Sequence, residues 1–199
     1  MADLKNVKID NVQLETFEWD NVWFEYPDNS EAKRFIYIGD SISVGTRGWI
    51  KGLSDNRVLC DGFGTSKALD NPFFKPSLEL FILQEKAFDG ILINNGLHGW
   101  HLSCSEYARY YEDMLDFLAK TGKPIYLLLS THLPADPERN EIVCQRNEAA
   151  KAIAEKRGIA VIDLYSVSVA HCDLYTEDKV HFVDEGYKLL AQCILGSVG

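Results

Sequence analysis

Residues 35–43 read Phe35-Ile36-Tyr37-Ile38-Gly39-Asp40-Ser41-Ile42-Ser43. Four apolar residues running into Gly-Asp-Ser predict a buried strand that ends in a turn and presents the Ser41 hydroxyl at a sheet edge, where open α/β sheets bind their ligands. Taken alone, Gly-Asp-Ser is ordinary turn and helix-cap chemistry, so Ser41 is a candidate nucleophile only if the chain also supplies a base. Residues 177–186, EDKVHFVDEG, supply one: Asp178 and His181 stand three apart just ahead of a helical pattern. An aspartate so placed can hold one imidazole nitrogen while the other faces Ser41.

Outward from this strand, further short apolar runs recur: Arg57 to Cys60, Gly90 to Asn94, Ile125 to Leu129 and Ile159 to Leu164. Helical patterns separate them. One includes Trp49 to Leu53, one runs from Ser77 (as N-cap after Pro76) to Phe88, and one from Ser105 to Lys120 with Tyr107, Tyr110, Tyr111, Met114 and Leu118 at helical spacing as core residues. Asp136-Pro137 opens another that Gly158 closes, and the last spans Asp184 to Leu195. Strands that are continuously apolar and alternate with helices predict a three-layer α/β/α sandwich around a mainly parallel five-stranded sheet. Ahead of it, Val7 to Tyr26 is aromatic-rich and roughly alternating, which predicts one or two short strands. The expected organisation is an N-terminal β extension over residues 1–30 packed on a single domain over 31–199.

Composition narrows the function classes. A chain of 199 residues, 46% hydrophobic, has enough apolar material for one domain with a real core. Its net charge of −10 and pI near 4.9 exclude nucleic acid or an anionic membrane as the main partner, because phosphate binding needs a basic footprint. The five cysteines (Cys60, Cys104, Cys144, Cys172, Cys193) lack the close pairs of a zinc site and read as reduced thiols. The opening MADLKNVKIDNVQ holds no apolar signal core, and no stretch approaches the ~18 apolar residues of a membrane span, so the cytoplasm is the expected compartment.

With these residues in view the chain resembles the SGNH hydrolases of the GDSL esterase/lipase superfamily, from Phe35 to the C-terminus. The nucleophile block is Gly39-Asp40-Ser41, and the closing block is Asp178-Lys179-Val180-His181, followed by Phe182 and Gly186-Tyr187. The resemblance implies the flavodoxin-like SGNH fold, a catalytic set of Ser41, His181 and Asp178, no metal and no cofactor. It also implies an oxyanion hole that includes a glycine amide after the second strand of the domain, with Gly64 first and Gly62 behind it. The third block departs from the family's Gly-x-Asn-Asp. Aligned on the apolar run, Gly96-Leu97-His98-Gly99 puts His98 at the asparagine position, while a shifted register offers Asn95 or Asn94. A neutral imidazole donates from one nitrogen, so His98 suits the role chemically.

Trp100 and His101 are the expected substrate-side residues on the rim. His132 reads as structural or substrate-side and His171 as a surface or helix-end position, and Cys104 and Cys172 lack the strand-end setting of a nucleophile. The expected activity is hydrolysis of a small ester, with an acetyl ester of a carbohydrate first. Lipid-chain ester or thioester hydrolysis, acyl transfer to a sugar, and a non-catalytic binding module on the same fold stand as the alternatives. The expected partner is a small ester substrate.

Overall fold

The structure, a computed structural model, describes residues 12–198. The expectations for residues 1–11, including the start of the N-terminal alternation, lie outside the described residues. The elements in order are β1 (Asp20–Trp23), β2 (Lys33–Gly39), α1 (Ser41–Leu53), β3 (Val58–Thr65), α2 (Phe74–Ile82) and β4 (Gly90–Ile93). They continue with α3 (Cys104–Ala119), β5 (Ile125–Leu128), α4 (Pro137–Arg157), β6 (Ala160–Ile162), α5 (Leu164–Ala170) and α6 (Asp184–Val198).

One sheet has the strand order β1-β3-β2-β4-β5-β6. Its five inner and right-hand strands, β3-β2-β4-β5-β6, are parallel, and β1 is antiparallel on the edge of β3. The N-terminal segment therefore adds a sixth strand to the five expected. The alternation expected from Val12 onward is strand only at residues 20–23, where main chain meets the β3 edge, and Leu14 and Phe17 are exposed.

Successive side chains of a strand point to opposite faces, and β2 shows what both faces require. Ile36 and Ile38 enter one core with Phe74, Leu78 and Phe81 of α2 and Tyr111, Met114 and Leu118 of α3. Phe35 and Tyr37 enter the other with Ile42 and Ile50 of α1 and Leu190 and Ile194 of α6. Covering on both faces is why the strand is apolar throughout and why its partners are parallel.

Helix boundaries follow capping chemistry. α1 begins at Ser41 because Asp40 caps it, its Oδ1 accepting the Ile42 amide at 2.9 Å. α2 starts at Phe74, before the expected Ser77, and ends at Ile82, short of Phe88. Pro76 lies in its first turn, where the missing N–H has no intrahelical partner to lose. α3 opens on a capping box between Ser103 and Glu106. α5, which the sequence pattern did not distinguish, is capped by Asp163. Among the described residues no helix is long and apolar enough to cross a membrane.

Below the opposite end of the sheet from Ser41, a buried ion pair ties the segment after β1 to the strands. Arg34 Nη1 donates to Asp61 Oδ2 at 2.6 Å and to the Glu25 carbonyl at 2.9 Å, while Asp61 Oδ1 accepts the Glu25 amide at 2.5 Å.

Candidate active site

β2 carries the chain to the sheet's C-terminal edge, where Asp40 is fully buried and Ser41 becomes the first residue of α1. Burial pushes the Asp40 carboxyl up, against the pull of His98, the Ile42 amide and His181. The carbonyl of Asp40 accepts the Ser43 hydroxyl at 2.7 Å, so the turn into α1 is fixed from both sides of residue 40. Ser41 thus sits at a helix N-terminus, whose unpaired amides and dipole favour a developing negative charge.

The partner turn precedes α6. Asp178 Oδ1 accepts the amides of Val180 and His181, both at 2.9 Å, and the Thr176 hydroxyl at 2.7 Å. Lys179 takes the left-handed conformation, φ 57°, that lets the chain fold back so tightly. His181 Nδ1 then lies 2.6 Å from Asp178 Oδ2, and His181 Nε2 lies 2.7 Å from Ser41 Oγ. With the Nδ1 hydrogen directed at Asp178, Nε2 is the acceptor for the Ser41 hydroxyl. Desolvation would push the Asp178 carboxyl up, but hydrogen bonds from the His181 ring, the His181 and Val180 amides and Thr176 outweigh it. They hold the carboxyl well below the usual range.

Gly64 lies at the end of β3, in register with Gly39 and opposite Asn21 of β1. A Cβ there would come within 2.5 Å of Val44 Cγ2, so the glycine also lets α1 approach the strand. The two asparagines divide. Asn94 spends both hydrogens of its Nδ2 on the Leu128 carbonyl (3.0 Å) and Ser130 Oγ (3.2 Å). Asn95 spends one on the Lys67 carbonyl (3.1 Å), which leaves a second N–H. His98 Nδ1 lies 3.5 Å from Glu15 Oε1, an ion-pair distance without a hydrogen bond.

His101 pairs with Asp70 at 3.0 Å, joining the loops after β4 and β3. Trp100 has the guanidinium carbons of Arg139 and Arg146 at 5.0 and 5.2 Å from its ring centroid. It lines a cleft of about 390 Å³ with Leu97, Leu133, Arg139, Asp178 and Val180. The cleft opens directly beside the Asp178–His181 turn.

Arg146 is a site residue the sequence reading passed over. It is fully buried on α4, and it donates to the carbonyls of Gly96 (3.0 Å), His98 (2.7 Å) and Gly99 (2.7 Å). Its signal was its spacing, since with Val143, Ala150 and Ile153 it occupies the inward stripe of α4. Tyr107, read as core, donates its hydroxyl to the Asn95 carbonyl at 2.7 Å. Among the described residues no group of three or more His, Cys, Asp or Glu side chains is arranged to hold a metal ion.

No protein-family model and no curated protein matches the chain. Solved structures do. A member of the lipolytic G-D-S-L family from Veillonella parvula superposes with a TM-score of 0.70 at 22% identity, covering 83% of this chain and 97% of that one. The lipase/acylhydrolase from Enterococcus faecalis gives 0.68 at 18% identity, over 83% and 95% of the two chains. The acetylxylan esterase Axe2 from Geobacillus stearothermophilus gives 0.64 at 15% identity, over 84% and 94%. The chain has the SGNH hydrolase fold.

Proposed function

We propose that the protein is a serine esterase that hydrolyses a small ester through an acyl-Ser41 intermediate. The observation that carries this reading is the continuous hydrogen-bonded chain from Asp178 through His181 to Ser41 Oγ. Ser41 Oγ attacks the ester carbonyl as His181 Nε2 takes its proton, and the tetrahedral oxyanion forms at the N-terminus of α1. Collapse expels the alcohol, which receives the proton from His181. Water, activated by the same nitrogen, then attacks the acyl-enzyme and releases the acid. Asp178 keeps the hydrogen on Nδ1 and stabilises the imidazolium. The Ser41 amide is one oxyanion donor and the second N–H of Asn95 another, whereas the Gly64 amide, expected from the sequence, is taken up by the pairing of Gly64 with Asn21 on the β1 edge. His98 can face the substrate only through Nε2, because its Nδ1 lies on the Glu15 side.

The preferred substrate is a short acyl ester, an acetyl group on a carbohydrate. His181 and Asp178 have side chains 40% and 51% exposed, so the site is open, and the adjoining cleft combines an indole with charged groups rather than a deep apolar tunnel. The fold shared with an acetylxylan esterase agrees with this preference.

The test pairs fluorophosphonate labelling with hydrolysis of nitrophenyl esters of increasing chain length. An adduct on Ser41 and fastest turnover of acetate are expected. Absence of an adduct in folded protein would overturn the esterase reading in favour of a binding module, and an optimum at long chains would overturn the acetyl preference. Product analysis with an added sugar distinguishes hydrolysis from acyl transfer.

A further inference from the structure

The segment before β1 lies against the loop that follows β4. Glu15 Oε1 accepts the Gly99 amide at 2.9 Å and stands 3.5 Å from His98 Nδ1. Trp19 meets the His98 ring edge-on, with centroids 6.4 Å apart and planes at 80°. The main chain of Trp19 is in turn pinned beyond the end of β3: its amide donates to Ser66 Oγ at 2.8 Å and its carbonyl accepts the Ser66 amide at 3.1 Å. The imidazole is thus flanked by two side chains of a segment outside the five parallel strands.

The loop beneath is held too. Arg146 draws the His98 carbonyl inward, and in a trans peptide the following N–H points the opposite way. The Gly99 amide therefore faces outward, where the Glu15 carboxylate takes it. The carboxylate oxygen that takes the amide also stands 3.5 Å from the ring, so the position of His98 is coupled to the docking of the segment.

We propose that Glu15 is a positioning residue for His98: its carboxylate, 3.5 Å from Nδ1, favours the ring hydrogen on that nitrogen electrostatically and leaves Nε2 as the ring nitrogen that meets substrate. This rests on the serine esterase reading of the Ser41 site. It gives the site a second carboxylate–imidazole pair, looser than the 2.6 Å pair of Asp178 and His181 and on the oxyanion side. A carboxylate does this and a carboxamide does not. Glutamine at position 15 keeps an oxygen for the Gly99 amide, but it can turn its NH₂ toward Nδ1 and so release that nitrogen from carrying the hydrogen.

The experiment compares the wild type, Glu15→Gln and Glu15→Ala. It measures the rate of Ser41 phosphonylation by a fluorophosphonate, kcat and KM for nitrophenyl acetate, and the thermal midpoint. Long-range proton–nitrogen spectra of the histidine rings, assigned with His98→Gln, report the tautomer. In the wild type His98 carries its hydrogen on Nδ1. Glu15→Gln loses that signature and slows phosphonylation and kcat about tenfold, less than the about 10²–10³ lost with a whole oxyanion donor, while KM and the thermal midpoint hold. Unchanged ring signals or an unchanged rate in Glu15→Gln overturn the inference and leave Glu15 a tether, and a loss confined to Glu15→Ala does the same. A wild type that forms no adduct overturns the esterase reading instead, and the ring spectra alone then decide the Glu15–His98 pairing.

Discussion

His181 Nε2 lies 2.7 Å from Ser41 Oγ although the two residues are 140 positions apart in the chain. The contact needs no loop closure to form, because each side chain is fixed by its own capped turn: Asp40 holds the start of α1, and Asp178 holds the turn that carries His181.

Ser41→Ala and His181→Ala should each lower kcat by about 10⁴–10⁶ without unfolding the protein, since both side chains are only partly buried and act as one unit. Asp178→Asn should cost about 10⁴ by offering Nδ1 the wrong partner. Steady-state kinetics of nitrophenyl acetate, with circular dichroism as the folding control, check all three.

Gly96→Ala should damage the site from below. A Cβ on Gly96 would overlap the Ser130 hydroxyl and come within 2.9 Å of Ser130 Cβ, forcing apart the loops after β4 and β5. The overpacking should cost about 1–3 kcal/mol and reduce kcat, because Asn95 and His98 move with the loop. Ser130→Gly in the same chain should restore part of both, which urea titration and kinetics would reveal. A fully additive double variant counts against the steric account.

The Arg34–Asp61 pair gives a stability prediction remote from the site. Both side chains are buried, so Asp61→Asn leaves the guanidinium uncompensated and should lower unfolding free energy by about 3–5 kcal/mol. Replacing both by apolar residues of similar size should recover much of that loss. Chemical denaturation of the single and double variants measures the difference.

Glu85 makes stability depend on pH in a definite direction. Burial and the adjacent Asp61 carboxylate push its carboxyl from 4.5 up to about 8, and its Oε1 is buried without a partner. Between those values the folded state holds a proton that the unfolded chain has released, so stability falls as pH rises from about 4.5 to about 8 and levels off above. Glu85 is half-buried, and solvent screening keeps the effect modest. Thermal midpoints should drop by a few degrees between pH 6 and 9 in the wild type, and Glu85→Gln should flatten that trend.

How much of this was legible beforehand differs by residue. The strand at 35–39 and its parallel neighbours could be read because burial on both faces demands unbroken apolar runs, and Ser41, Asp178 and His181 because each lies in a short local motif. Asp136 and Gly158 were likewise readable as caps of α4. Spacing marked Arg146 as an inward residue of α4 but could not say what it binds, and nothing marked Glu15, since their partners are carbonyls and amides about 50 and 84 residues away. β1 was visible as alternation, but its antiparallel pairing to β3 is a tertiary choice. The start of α2 was expected at Ser77, as N-cap after Pro76, whereas the first helical turn accommodates the proline and the helix begins at Phe74.

β1 has one further consequence. It occupies Gly62 to Thr65, the margin of β3 that would otherwise present open main-chain donors and acceptors. Such margins recruit strands from other molecules. Proteolytic trimming up to Trp23 would expose that margin and promote edge-to-edge self-association.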